Sequence, residues 1–262
     1  MVHALKAAKL TLSLAALIGI VWTAAACDGA APAVVAPTPT PVPDPAALLA
    51  ETAANLRTVQ SAKFLVSHQL GSIYLPDFSA KITEISGAWD ADAGAELSID
   101  AYLVSGPDAD YESGSYVQVS VIITPAGYFA TEPISGLWLK QPIQTAPIAV
   151  DRLQHIIADF VDNVGNPVLV GQESLEGVAT YRISGDLPAS AMDWLPLTAS
   201  ASQSLRVEIW TDADQKLLRR LDAIGPVGEF DAPDTQRSIL LTNIGEPVTV
   251  VPPEQFIDLT GG

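Results

Sequence analysis

The side chains whose type and spacing best suit chemistry are acidic. Asp108, Asp110 and Glu112 have the spacing of the first ligands of a calcium-binding loop. The sixth position of such a loop is a glycine that allows a sharp turn, and the twelfth is a bidentate glutamate. This chain has Ser113 and Val119 at those positions. The loop pattern is therefore incomplete, and we expect no bound calcium, no other metal and no cofactor.

Two further acidic pairs, Asp90 with Asp92 and Asp212 with Asp214, are typical of turns at a solvated edge. Glycoside hydrolysis needs two carboxylates that face each other at a set separation, which spacing along the chain does not specify. No pair stands out. A hydrolase that uses carboxylates therefore stays open as an alternative.

The other usual catalytic groups are scarce. The three histidines are His3, His68 and His155, and a lone histidine is more often structural than catalytic. The motifs H-E-x-x-H, G-x-S-x-G and G-x-x-x-x-G-K do not occur, and there is no cysteine pair. We expect a protein that is not an enzyme.

The only cysteine, Cys27, ends the run Ala24-Ala25-Ala26-Cys27. It follows a short basic start and an apolar stretch, residues 10–22, that carries no charge. This is the layout of a secretory signal peptide, and the apolar part is short for a bilayer span. Residues 1–26 are therefore predicted to be an export leader.

The run of small residues into Cys27 resembles a bacterial lipobox, in which the cysteine becomes the first mature residue and carries lipid chains. The position three before the cysteine is usually leucine and is Ala24 here. An ordinary cleaved leader is the alternative, but a free thiol in an oxidising compartment is a liability that lipidation removes. We predict that Cys27 is the lipid attachment site and anchors the protein on the extracytoplasmic face of the bacterial cell membrane.

Residues 27–45 are rich in proline and include the alternation Pro37-Thr38-Pro39-Thr40-Pro41. Such a segment is extended at about 3.1 Å per residue and could hold a domain roughly 50 Å from the membrane. We predict a lipidated, proline-rich tether, followed by a single domain over residues 46–262.

The formal net charge is −17, and removal of a leader that carries Lys6 and Lys9 lowers it by two, to −19. Such a surface repels nucleic acid and anionic headgroups. We therefore expect no nucleic-acid partner, attachment to the membrane through the lipid alone, and a monomer.

Asp44 and Pro45 form a good helix start, and residues 46–59 should form a helix with Leu49, Ala53 and Leu56 on one face. A second helix is indicated over residues 150–160, and residues 188–194 suggest a short helix or lid. Alternation of polar and apolar residues predicts about ten strands in an antiparallel sheet, and hence the α+β class. The predicted strands are residues 63–70, 96–103, 117–121, 127–131, 137–141, 168–173, 178–187, 205–210, 217–224, 238–242 and 248–251.

Several stretches resemble the LppX/LprAFG family of bacterial lipoproteins, which has a LolA-like fold. The stretches are residues 171–185, which read as a hairpin, residues 207–212, 217–220 and 225–226 from later strands, and residues 61–64 near the start. The resemblance implies a curved antiparallel half-barrel with two or three helices on its concave face, enclosing an apolar cavity. Members of the family are mycobacterial envelope lipoproteins that carry lipids with several acyl chains, including glycolipids.

The expected function is therefore binding, and transfer, of an acylated lipid or glycolipid, with an envelope transporter as a candidate partner. Each residue proposed to line the cavity could equally belong to a solid core. A cavity lining and a solid core require the same alternation of polar and apolar residues along each strand. An interaction or sensor lipoprotein with a solid core is the main alternative. The candidates for the cavity are Phe64, Val66, Leu97, Ile99, Val119, Val121, Ile156, Phe160, Ile183, Leu205, Val207 and Ile209.

Overall fold

The structure, a computed structural model, describes residues 42–146, 152–192 and 204–261. These residues all belong to one compact unit, which begins at Val42. The predicted leader, Cys27 and all but the end of the tether lie outside the described residues.

Helix α1 (Pro45–Leu56) begins as the sequence predicts. The Asp44 carboxylate accepts a hydrogen bond from the Ala46 amide at 3.1 Å, and Pro45 occupies the first turn, where no amide hydrogen is needed. The predicted apolar stripe of this helix is buried, which fixes the helix against the rest of the unit.

Helix α2 (Leu153–Asp162) lies within the second predicted helical stretch. It begins at Leu153, while residues 150 and 151 of the predicted helix lie outside the described residues. The stretch predicted as a short helix or lid contains a single 3₁₀ turn, Ala189–Met192, and residues 193–194 are not among those described.

Residues 42–146, 152–192 and 204–261 contain thirteen strands, and α2 interrupts their succession once. They are β1 (Ser61–Leu70), β2 (Ile73–Leu75), β3 (Ala80–Asp90), β4 (Gly94–Leu103), β5 (Ser115–Thr124), β6 (Gly127–Thr131), β7 (Trp138–Gln141), β8 (Gly165–Leu175), β9 (Val178–Pro188), β10 (Ser204–Asp212), β11 (Leu218–Ile224), β12 (Gln236–Thr242) and β13 (Ile257–Asp258).

All thirteen strands form one curved sheet in the order β13-β7-β6-β5-β4-β3-β1-β12-β11-β10-β9-β8, with β2 paired to β3. Every pair is antiparallel except β13 with β7. Strand β1 lies near the middle. The chain builds one half outward from β1 to β7, then starts again at the far edge with β8 and returns to β12, which pairs with β1. The sheet is open, because β8 and β13 lie at opposite edges.

The expectation of about ten strands was too low. Strands β2, β3 and β13 were not predicted. In β3, a bulge between Ile82 and Glu84 and a glycine at position 87 interrupt the alternation that marks a strand. Conversely, residues 248–251 form no regular structure. Prolines flank them on both sides and remove amide donors that a sheet would need.

Both acidic pairs lie in turns, as predicted, but Asp212 is buried, with 4% exposed, and does not lie at a solvated edge. Asp90 accepts hydrogen bonds from the amides of Asp92 and Ala93 in the β3–β4 hairpin. Asp212 accepts from the amides of Asp214 and Gln215 at 2.8 and 2.9 Å in the β10–β11 hairpin. Asp212 also forms an ion pair with Arg219 at 2.8 Å. These carboxylates fix the ends of strands.

Candidate functional site

One continuous row of apolar side chains crosses eight adjacent strands of the sheet. Residues that lie opposite each other on paired strands point to the same face. The row therefore defines one side of the sheet, which we call the inner face. From β9 to β5 its members are Ile183, Ile209, Leu221, Ile239, Val66, Ile85, Ile99 and Val119.

A second row runs beside the first on the same face. Phe64 lies opposite Gly87, which lies opposite Leu97, and Leu97 lies opposite Val121. Leu205 and Val207 occupy the inner positions of β10 next to Ile209. All ten strand residues that the sequence proposes as cavity candidates thus lie on the inner face.

The two helices cover the half of the inner face formed by β8 to β11, which we call the covered half. Leu205, Val207, Ile209 and Ile183 have no exposed surface there, and Phe160 of α2 is 1% exposed. Ile156 of α2 is half-buried and packs against the same cluster. In this half the protein's own side chains surround the candidates completely, as in a solid core.

Polar contacts hold α1 against the sheet in the covered half. The hydroxyls of Thr52 on α1 and Thr211 on β10 lie 2.6 Å apart, and neither side chain is exposed. Arg57 at the end of α1 forms ion pairs with Asp159 and Asp162 of α2, at 2.8 and 2.5 Å. These carboxylates raise the pKa of Arg57, chiefly through the hydrogen bonds that they accept. The helices are therefore joined to each other as well as to the sheet.

The other half of the inner face is less completely covered. The first-row side chains on β12, β1, β3, β4 and β5 are only half-buried, and so is Phe64 of the second row, although they are apolar and adjacent. We call this surface the open half. It consists of Ile239, Phe64, Val66, Ile85, Ile99 and Val119. Five strands at a spacing of about 4.8 Å give it a width of about 19 Å. Leu97 and Val121, also on β4 and β5, are buried, with 6% and 2% exposed. Inner positions further along the same strands, such as Trp89 and Ile123, are buried as well.

The apolar surface continues from the open half toward the end of β1. There Ile73, Ile82 and Ala101 form a small buried cluster against which Ile85, Ile99 and Val117 pack. The open half is thus part of a continuous apolar strip that runs along the strands as well as across them.

Two polar residues, a half-buried histidine and a buried arginine, end the strip on β1 and β12. His68 lies opposite Arg237, one inner position beyond Val66 and Ile239. Arg237 forms an ion pair with Asp231 at 2.5 Å, and both side chains are 5% exposed. Nδ1 of His68 lies 3.0 Å from the carbonyl oxygen of Thr83. Burial lowers the pKa of His68, and the charge of Arg237 lowers it further.

The sequence interpretation treated His68 as a structural residue and overlooked Arg237. One feature of the sequence could have identified Arg237 as a buried, paired residue. Strand β12 alternates, and Arg237 stands at an inward position of that strand, six residues after Asp231, a possible partner. An arginine at an inward position indicates a buried ion pair, because an unpaired buried charge is costly.

The incomplete calcium pattern has a local explanation. Asp110 accepts a hydrogen bond from the Glu112 amide at 3.0 Å and so begins the 3₁₀ turn Tyr111–Ser113. Within residues 42–146, 152–192 and 204–261, no group of three or more metal-binding side chains comes together. Among the helices of those ranges, none has the length and hydropathy needed to cross a membrane.

An open, mostly antiparallel sheet with one apolar face, half of it covered by two helices, defines a class of half-barrel domains. The chain belongs to the LppX_LprAFG lipoprotein family, whose model matches residues 44–250. The resemblance found in the sequence is thereby confirmed.

Solved structures agree with this fold. LprF from Mycobacterium bovis aligns with a TM-score of 0.61 and 17% identity, over 81% of this chain and 98% of LprF. The lipoprotein LppX from Mycobacterium tuberculosis aligns with a TM-score of 0.51 and 19% identity, over 78% of this chain and 98% of LppX. A LolA superfamily protein from Nitrosomonas europaea aligns with a TM-score of 0.25 and 9% identity, over 81% of this chain and 96% of its own. A TM-score of 0.25 does not establish a shared fold. No curated protein sequence matches the chain.

Proposed function

We propose that this protein is a membrane-anchored, extracytoplasmic lipoprotein that binds an acylated lipid or glycolipid on the open half of the inner face. The observation that carries the proposal is the set of six adjacent apolar side chains that the chain leaves half-buried. Four of them, Phe64, Ile99, Val119 and Ile239, pack against the main core on one side, and all six keep part of their apolar surface accessible to a ligand.

The chemistry of the open half suits acyl chains. Its side chains are aliphatic except for Phe64, and none of the six carries a polar group. Each methylene that a ligand buries there contributes about 0.8 kcal/mol, so a chain in contact over the width of the open half binds well without any hydrogen bond. In this proposal the inner face is the concave face of the half-barrel.

The covered half has a different role in this proposal. Its candidates are fully packed, so we assign Ile183, Leu205, Val207, Ile209 and Phe160 to the framework that holds the sheet in shape. The lipid contacts are assigned to Phe64, Val66, Ile99 and Val119, with Leu97 and Val121 beside them on the same face. Ile156, half-buried on α2, lies at the boundary.

The remaining parts of the proposal follow from the sequence. Lipid on Cys27 anchors the chain, the tether gives the domain its reach, and the acidic surface keeps the domain itself from anionic membranes. Together these features suit a protein that carries lipid between a membrane and an outer layer without chemical change.

The test is native mass spectrometry of the protein purified without detergent, followed by organic extraction of what accompanies it. A stoichiometric acyl lipid supports the proposal. A bare protein mass that persists after incubation with lipid vesicles contradicts it and favours an interaction or sensor lipoprotein.

A further inference from the structure

A second concave site lies outside the inner face, at the end of the sheet where β1, β3 and β12 meet the loops. It is a cavity of about 450 Å³ between the β1–β2 turn, the loop after β4 and the loop between β11 and β12. The rings of Tyr74 and Phe230 meet edge to face there, with centroids 5.2 Å apart. Asp108 and Glu229 also line the cavity. We call it the rim pocket.

The walls of the rim pocket are preformed. Asp231 accepts hydrogen bonds from the amides of Val227 and Gly228, both at 2.8 Å, and pairs with Arg237. At Gly71, an added Cβ would lie 2.9 Å from the Thr235 side chain, so the β1–β2 turn packs tightly on the loop. A pocket built by such fixed contacts loses little entropy when it binds a ligand.

The rim pocket is negatively charged, and among the described residues no cation pairs with part of that charge. Of the lining residues that the structure describes, Asp108, Glu229 and Asp231 are acidic and Lys81 is the one cation. Lys81 donates a hydrogen bond to the Ala109 carbonyl at 2.6 Å, and Arg237 offsets Asp231. Within the described part of the chain, neither Asp108 nor Glu229 has an ion-pair partner.

We propose that the rim pocket binds a lysine or arginine side chain from a basic segment of a partner protein. Carboxylates attract such a cation, and the faces of aromatic rings add to the attraction. Apolar surface beside the pocket favours a protein partner over a small free amine. Leu70, next to Gly71, is 46% exposed, and Phe230 is 43% exposed. An anionic lipid surface would be repelled by the same carboxylates.

The test titrates the full-length protein with the peptide acetyl-Leu-Arg-Leu-Arg-amide and with its counterpart acetyl-Leu-Glu-Leu-Glu-amide. We expect saturable binding of the arginine peptide only, weaker at higher ionic strength. The double variant D108N/E229Q should weaken binding by about tenfold or more, and Phe230→Ala should weaken it independently of charge. The matched control, D92N/E176Q, removes two charges from hairpin turns at the opposite end of the strands and should leave binding unchanged.

Each contrary result overturns the proposal. The arginine peptide could fail to bind, or D92N/E176Q could weaken binding as much as D108N/E229Q, which would indicate bulk charge alone. Binding of free arginine amide with equal affinity would indicate a small-amine site. Phe230-dependent binding to phosphatidylglycerol vesicles, without peptide binding, would indicate a lipid surface. The rim pocket does not depend on lipid in the open half. A negative peptide titration therefore contradicts only the rim-pocket proposal, and a negative lipid extraction contradicts only the lipid-binding proposal.

Discussion

Thr52 and Thr211 lie 159 positions apart in the sequence, and their hydroxyl oxygens are 2.6 Å apart in the buried contact between α1 and β10. The Thr52 hydroxyl also donates to the Leu48 carbonyl at 2.8 Å, so the Thr211 hydroxyl is the donor to Thr52. This contact helps to place α1 over the covered half.

Thr52→Val should destabilise the fold, because it removes the 2.6 Å contact and leaves the buried Thr211 hydroxyl with only the Leu217 carbonyl, at 3.4 Å, as an acceptor. The expected loss in the free energy of unfolding is about 1–3 kcal/mol, measured by urea denaturation. The double variant T52V/T211V removes both polar groups and should recover part of the loss. An unchanged stability for Thr52→Val would mean that this contact does not hold the helix.

The two halves of the inner face should respond differently to truncation. Ile209→Ala in the covered half should cost about 2–5 kcal/mol of unfolding free energy, because it leaves a cavity in a packed core. Ile99→Ala in the open half should cost about 1 kcal/mol in lipid-free protein, because its side chain is only half-buried. Equal losses in urea denaturation would show that the open half is packed as a core.

His68 should make stability depend on pH. Its folded pKa lies below the unfolded value of about 6.5, because burial disfavours the charged ring. The unfolded chain therefore binds the proton first as pH falls. Stability is complete above about pH 6.5 and declines as pH drops toward the folded pKa. His68→Gln should flatten this decline between pH 7.5 and 5.5 in urea denaturation. An equally steep decline in the variant would show that titratable groups other than His68 cause the loss of stability.

Cys27 should carry the membrane anchor. Cells grown with labelled palmitate should incorporate label into the wild-type protein and not into the Cys27→Ala variant. The mature protein should begin at Cys27 in intact-mass measurements. If the wild-type protein is unlabelled, or if the mature protein begins at another residue, lipidation at Cys27 is contradicted and ordinary cleavage of the leader is favoured.

The sequence predicted most of the architecture because the physical signals are local. The Asp44-Pro45 start marked α1, and alternation marked the long strands β4, β5 and β9. Strand β3 was missed because Gly87 occupies an inward position and a bulge shifts the register. At Gly87 an added Cβ would lie 2.3 Å from the Glu96 carbonyl oxygen, so only glycine fits there.

The division of the inner face could not be predicted from the sequence. Ile209 and Ile99 occupy equivalent inward positions in alternating strands, yet one is fully buried and the other is half-buried. The difference depends on where α1 and α2 pack, which is set by contacts between residues far apart in the chain, such as Thr52 with Thr211. The rim pocket was missed for the same reason, because three separate loops form it.

The central claim is that the open half holds the lipid. The most direct test compares Val119→Trp, on the open half, with Ser120→Trp, the next residue on β5 and on the opposite face of the sheet. Acyl lipid extracted per mole of purified protein is measured for both variants and the wild type, with circular dichroism to verify the fold. We predict that Val119→Trp loses most of the lipid while Ser120→Trp retains it. Full lipid retention by folded Val119→Trp, or equal loss in both variants, would contradict the proposal.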